Sequence, residues 1–245
     1  MHEAIRQLEY ITLNAWPALE TEQYDGWLLR YAKGYTGRAN SVNPLGGSRL
    51  PLSEKIAYCE RWYQARGLPP VFRLNLAMQP PELDAYLEAR GYRRYNETLV
   101  QRADLHQLPA PIADRFSYQT SVSADWLADW GRWNAVPSAS VAIAHEMLSG
   151  TQQMSCYGRI GDQAVGLAVC EGDFVGLFDL VVAPSQRRQG IGRDLVNSLL
   201  HWGKQQGARY AYLQVVADNQ PARRLYQQLG FVDHHHYWYR KAPDA

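Results

Sequence analysis

At 245 residues the chain is long for one ordinary domain and comfortable for two small ones. Its 46% hydrophobic and 20% charged residues and its formal net charge of +1 are the balance of a soluble globular protein, with no field to make nucleic acid its main partner. No run approaches the roughly 20 apolar residues of a membrane span, and the 3 cysteines, Cys59, Cys156 and Cys170, stand at no metal-ligand spacing, so the expectation is a cytoplasmic protein with free thiols and no metal.

The chain opens MHEAIRQLEYITLNAWP, where Ile5, Leu8 and Ile11 recur at helical spacing between charges, unlike the continuous apolar core of a secretion signal. The loop VNPLGGSRLPLS (42–53) leads into a helical pattern, SEKIAYCERWYQARG (53–67), with Ile56, Cys59 and Tyr63 on one face, expected to pack against the other half of the chain. FRLNLAMQPPELDAYLEARGY (72–92) reads as strand then helix. HQLPAPIADR (106–115) then breaks the periodicity with two prolines, which places the domain boundary so that the domains are 1–108 and 109–245.

Beyond the linker, RFSYQTSV (115–122) alternates like a strand, and ADWLADWGRWN (124–134) and ASVAIAHEMLSG (139–150) read as helices. Residues 152–182 suggest three strands turned at Gly161-Asp162 and Gly172-Asp173. Ile191, Leu195 and Leu199 mark a helix closed by Gly207, followed by the strand ARYAYLQVV (208–216), the helix QPARRLYQQLG (220–230) and the strand FVDHHHYWYRK (231–241). Adjacent strand residues point to opposite faces, so His234, His235 and His236 cannot converge on one ion and read as a polar strand. His145 reads as a satisfied core histidine.

Between Val182 and Leu195 the chain leaves a strand at Pro184, which cannot donate to a ladder, and enters a helix whose first amides have no internal acceptor. Gly190 and Gly192 bare those amides, the helix dipole favours an anion there, and Arg187, Arg188 and Arg193 add charge that suits a pyrophosphate or a ribose phosphate better than a single carboxylate. The spelling matches neither a P-loop nor a dinucleotide fingerprint.

Arg187-x-x-Gly190-x-Gly192 after a strand resembles the pyrophosphate loop of the GNAT superfamily, the acyl-CoA-dependent N-acyltransferases. LFDLVVAPS upstream and LQVVADNQPARRLYQQLGF downstream are similar to the family's flanking segments, so the resemblance covers about residues 115–240. It implies an α/β fold with a mixed sheet, GNAT-like in the C-terminal half, and acetyl-CoA as co-substrate attacked directly by an amine acceptor. It implies that Arg187, Arg188, Gln189, Gly190, Ile191, Gly192 and Arg193 cradle the pyrophosphate and that Leu180, Val181 and Val182 line the acyl group, with a backbone amide near Val182 for the oxyanion. By the same resemblance Tyr226 protonates the leaving thiolate, where the alternative is a core tyrosine sharing a face with Ala222 and Leu229. Asn219 reads as the cap of its helix and, by the same resemblance, contacts the CoA arm.

The amine must lose a proton, which at pH 7 costs a lysine-like amine about 4.6 kcal/mol. Gln214 and Phe178 stand where two related branches carry a glutamate, so the base is open between Asp179, Glu171 and a water relay. An acyl-CoA-binding sensor without transfer chemistry is the alternative function. Aligning Gly91-Tyr92 with Gly230-Phe231 sets 72–92 against 211–231 without a gap, which resembles a degenerate GNAT-like repeat in the N-terminal half. There Gly46, Gly47 and Arg49 are differently spaced and Leu87 aligns with Tyr226, so this half is expected to bind no CoA.

Overall fold

The computed structural model describes residues 2–107 and 115–243. The expected boundary at 108/109 lies outside the described residues. The chain is mixed α/β and divides into two compact units, Met1–Leu99 with His235–Ala245, and Val100–His234. Among the described residues no helix is long and apolar enough to cross a membrane.

The first unit contains α1 (His2–Ala15), β1 (Glu20–Tyr24), β2 (Trp27–Tyr31), β3 (Val42–Pro44), α2 (Leu52–Gln64), β4 (Val71–Leu74), α3 (Leu83–Ala89), the start of β5 (Arg93–Asp104) and most of β11 (Val232–Lys241). Its strands run in the order β1-β2-β3-β4-β11-β5. β1, β2 and β3 form an antiparallel meander, β3 and β4 are parallel, and β4 pairs antiparallel with β11 from Trp238↔Leu74 to Lys241↔Val71. Ile56, Cys59 and Tyr63, expected to pack against the other half, instead close this unit's own core with Trp27, Phe72, Leu87 and Trp238. The reason is local: α2 lies beside the strands it connects, and its apolar stripe is consumed there.

The second unit holds the end of β5, β6 (Phe116–Gln119), α4 (Ala124–Trp133), α5 (Ser138–Ser149), β7 (Met154–Ile160), β8 (Ala164–Glu171), β9 (Phe174–Val182), α6 (Ile191–Gln205), β10 (Tyr210–Val216) and α7 (Gln220–Gln228), with strand order β5-β10-β9-β8-β7-β6. Both glycine-aspartate turns fall where expected, between β7 and β8 and between β8 and β9. Ser123 caps α4 by accepting from Trp126 N at 3.3 Å. Leu195, Val196, Leu199, Leu200 and Trp202 turn the buried face of α6 to the sheet, each contributing about 1.5–3 kcal/mol by burial. Gly166 lets that helix come close, since a Cβ there would lie 2.7 Å from Leu180 Cδ2 and 3.1 Å from Leu199 Cδ1.

β4 and β10 are the strands matched by the internal alignment, and their neighbours are exchanged. β4 is followed in sequence by α3 and β5 but pairs with β11, whereas β10 is followed by α7 and β11 but neighbours β5. Each unit is therefore completed by the last strand of the other aligned segment.

Candidate active site

β9 and β10 pair in parallel from Tyr210↔Phe174 to Leu213↔Leu177, yet β9 runs on to Val182 and β10 to Val216. The two strands part after Leu177. On its other edge β9 stays with β8, but Leu167 pairs with Phe178 and Val165 with Val181, so Asp179 and Leu180 together oppose Gly166. This is a β-bulge, with Asp179 at φ +50 in the left-handed region.

The bulge shifts the alternation by one residue. Before it, Val175 lies under α6, in contact with the place where a Cβ on Gly203 would stand; beyond it, Leu180 and Val182 face α6 through Gly166 and Gly192. Ala183 N donates to Gln163 O across the β8 edge at 2.8 Å, so by alternation the Val182 amide points away from β8, toward the opening beside β10. The Val182 carbonyl, on that same side, accepts from Arg187 Nε at 3.2 Å.

Gly190 sits at φ +87 as the N-cap of α6, and no atom lies within 4 Å of where its Cβ would be. The first α6 donors are Arg193 N and Asp194 N, both to Gly190 O at 2.9 and 3.1 Å, so the amides of Gly190, Ile191 and Gly192 have no acceptor within the helix. A Cβ on Gly192 would lie 3.5 Å from Val182 Cγ2 and 3.7 Å from Leu225 Cδ2. Strand end, helix turn and α7 therefore meet at one place, and Arg193 hydrogen-bonds Gln228 of α7. That pair spans 35 residues and left no mark in the sequence.

The other loop residues divide. Arg188 is exposed, at φ +66, and makes no hydrogen bond or ion pair with the described residues, which leaves its guanidinium for an anion. Arg187 instead braces the loop against Val182 O and, at 3.5 Å, Trp133 O; Gln189 Nε2 turns back to Ser185 O at 3.3 Å. Asn219 caps α7, accepting from Ala222 N at 3.2 Å. Tyr226 is half-buried overall, stacked edge-on to Phe231 with centroids 5.9 Å apart, and burial around its ring pushes the phenol up to about 12.

Asp179 is half-buried beside Tyr157, whose hydroxyl bonds Leu148 O at 3.3 Å; the Tyr157 phenol is pushed up to about 12 by burial, with the Asp179 carboxylate adding to it. Glu171 pairs with Phe174 at the hairpin turn, at the opposite end of β9 from Val182. His145 is exposed on α5, not a core residue. His235 is buried against Glu9 at 2.6 Å and His236 lies 3.8 Å from Glu97. Among the described residues no group of three metal-ligating side chains occurs.

The aligned turn of the first unit is filled from within. The Asp25 carboxylate accepts from Arg49 N at 2.9 and 3.1 Å, Leu50 N at 3.0 Å and Ser48 Oγ at 3.1 Å, with Lys55 Nζ at 3.2 Å. The amide of Leu50, then of Arg49, with Lys55 and Ser48 hold that carboxyl well below the usual range. Leu87, aligned with Tyr226, is wholly buried.

A family model described as the C-terminal region of the probable histone acetyltransferase Rv0428c matches residues 3–240. The uncharacterized N-acetyltransferase YobR of Bacillus subtilis (strain 168) is 29% identical over 243 residues, covering 95% of this chain and 97% of that protein. The probable histone acetyltransferase Rv0428c of Mycobacterium tuberculosis is 31% identical over 240 residues, covering 98% of this chain and 74% of its own length. A GCN5-related N-acetyltransferase from Kribbella flavida superposes with a TM-score of 0.69 at 14% identity, over 99% of this chain and 95% of that one. With a match that runs nearly end to end, the chain belongs to the Rv0428c C-terminal family of GNAT N-acetyltransferases.

Proposed function

We propose that the protein is a cytoplasmic enzyme that transfers the acetyl group of acetyl-CoA to a primary amine, of a small molecule or a protein, and that it binds one acetyl-CoA per chain, in the second unit. The observation that carries this reading is the convergence of Val182, Gly192 and α7 beside the parted strands. The open space at Gly190 and the bared amides of the α6 turn fit a pyrophosphate, with Arg188 and Arg193 beside it. Acetyl-CoA supplies the thioester; the chain orients it and handles the charge. The Val182 amide, aimed into the opening, serves the oxyanion. Leu180 and Val182 line the acyl pocket on the α6 side, with Val181 on the opposite face of the strand. Tyr226 donates a proton or a hydrogen bond to the departing thiolate, and Asp179, swung out by the bulge, takes the proton of the amine.

The aligned segments 1–108 and 109–245 are, on this reading, a tandem pair whose first member has lost the site. Asp25 stands where a guest anion would need the Arg49 and Leu50 amides, and Leu87 offers no acid. Calorimetric titration with acetyl-CoA, followed by acetyl-CoA consumption against a panel of primary amines, tests both parts. One site per chain and turnover with at least one amine are expected. Two sites would restore the first unit, and binding without turnover on any amine would leave a sensor.

Replacing Gly190 by valine puts a Cβ into open space but forces a β-branched residue to φ +87, which costs about 1–2 kcal/mol, displaces the turn and sets a side chain before the amides. We expect acetyl-CoA affinity to fall by about tenfold or more with the circular dichroism spectrum unchanged. Wild-type affinity in Gly190→Val would remove the turn from the site.

A further inference from the structure

We propose that a pocket on the side of α7 turned away from α6 binds a compact zwitterion of the α-amino-acid class, its ammonium on Gln101 and Asp233 and its carboxylate on Arg224. The pocket has a volume of about 310 Å³, within the range of small-molecule sites, and Phe231 forms part of its wall. Gln101, only 4% exposed, donates from Nε2 to Asp233 Oδ1 at 2.7 Å, while its Oε1 is buried with no partner. The amide cannot relieve this by flipping, since Oε1 would then face the Asp233 carboxylate. A buried acceptor left unmet costs about 1–3 kcal/mol, which a donor from a ligand would recover.

The opposite charge is also in place. Arg223 is tied to the wall, donating from Nη1 to Ala217 O at 3.0 Å with Nη2 at 3.8 Å from Asp233. Arg224 lines the same pocket, and its guanidinium makes no hydrogen bond or ion pair with the described residues. An unmet acceptor on Gln101, beside the Asp233 carboxylate, and an unpaired guanidinium on Arg224 line one pocket, which complements a molecule that carries both an N–H cation and an oxyanion. The site is separate from the α6 turn. Leu225 and Gln228 form the α7 side that meets α6, whereas Gln220, Arg224 and Gln227, at spacings of four and three, face the pocket.

The probe is L-leucine, followed by saturation-transfer NMR on the full chain without acetyl-CoA. We expect binding at millimolar concentration that falls about tenfold or more with N-acetyl-L-leucine, which lacks the ammonium, with L-leucinamide, which lacks the carboxylate, and in Arg224→Ala. Gln101→Leu, which removes the unmet acceptor together with the bond to Asp233 and leaves no cavity, should weaken it similarly, with acetyl-CoA affinity unchanged in both variants. Absence of binding to the wild type, equal binding of the capped compounds, or retention in Arg224→Ala would overturn the assignment.

Discussion

Changing Tyr226 to phenylalanine is expected to lower turnover about 100-fold or more while acetyl-CoA affinity stays near wild type. The ring keeps its edge-on contact with Phe231, so packing is preserved and only the hydroxyl is lost. With its phenol pushed up to about 12 by burial, Tyr226 is protonated at neutral pH, which fits the proposed role of donor and not that of base. A corollary concerns alkaline pH. A phenol of ordinary pKa, about 10, would be half ionised at pH 10, whereas this one is not, so no loss of turnover from Tyr226 ionisation should appear below that pH. Unchanged turnover in Tyr226→Phe would show that the thiolate leaves without it.

Glu9→Gln is expected to be the most destabilising conservative change in the first unit. Glu9 is buried on α1, ion-paired to Arg73 and bonded to His235, and Arg73 in turn lies over the Tyr237 ring at 3.7 Å. Burial works to raise the Glu9 carboxyl, but the Arg73 charge and the His235 and Arg73 hydrogen bonds overcome it and hold it at about 2. Removing the charge leaves the Arg73 guanidinium buried without its counterion, a loss of about 3–5 kcal/mol. Because the folded value lies below the ordinary one near 4.5, the carboxylate's contribution is present in full above pH 4.5 and is lost as pH falls toward 2. In urea titrations the gap between wild type and Glu9→Gln should therefore be wide at pH 7 and shrink through that window. A gap that persists unchanged at pH 2.5 would mean that the charge on Glu9 is not what stabilises the helix.

The same cluster marks where sequence reading reached its limit. His235 was legible as one of three strand histidines that cannot share an ion, but its partner lies 226 residues away on α1. Pair contacts at such separations leave no local pattern, and the same holds for Arg193 with Gln228 and for Asp25 with the turn before α2. By contrast Asn219 was legible as a cap because its acceptor role depends only on the next three residues.

The sequence by itself determined what short-range chemistry controls: the hairpins at Gly161-Asp162 and Gly172-Asp173, the α6 stripe of Leu195 and Leu199, the glycine turn that opens α6, and membership in the GNAT superfamily through motifs at fixed spacing. Tertiary structure decided the rest. Strict alternation along 174–182 would have put Asp179 and Val181 on the α6 face with Val175. The bulge, which exists because two residues of β9 oppose Gly166 alone, put Leu180 and Val182 there instead and turned Asp179 into the left-handed region. Strand partners were decided in the same way. Nothing in VDHHHYWYRK distinguishes pairing with β4 from pairing with β10, because the ladder bonds are backbone groups common to both; only the burial of Tyr237, Trp238 and Tyr239 in the folded unit settles which edge β11 completes.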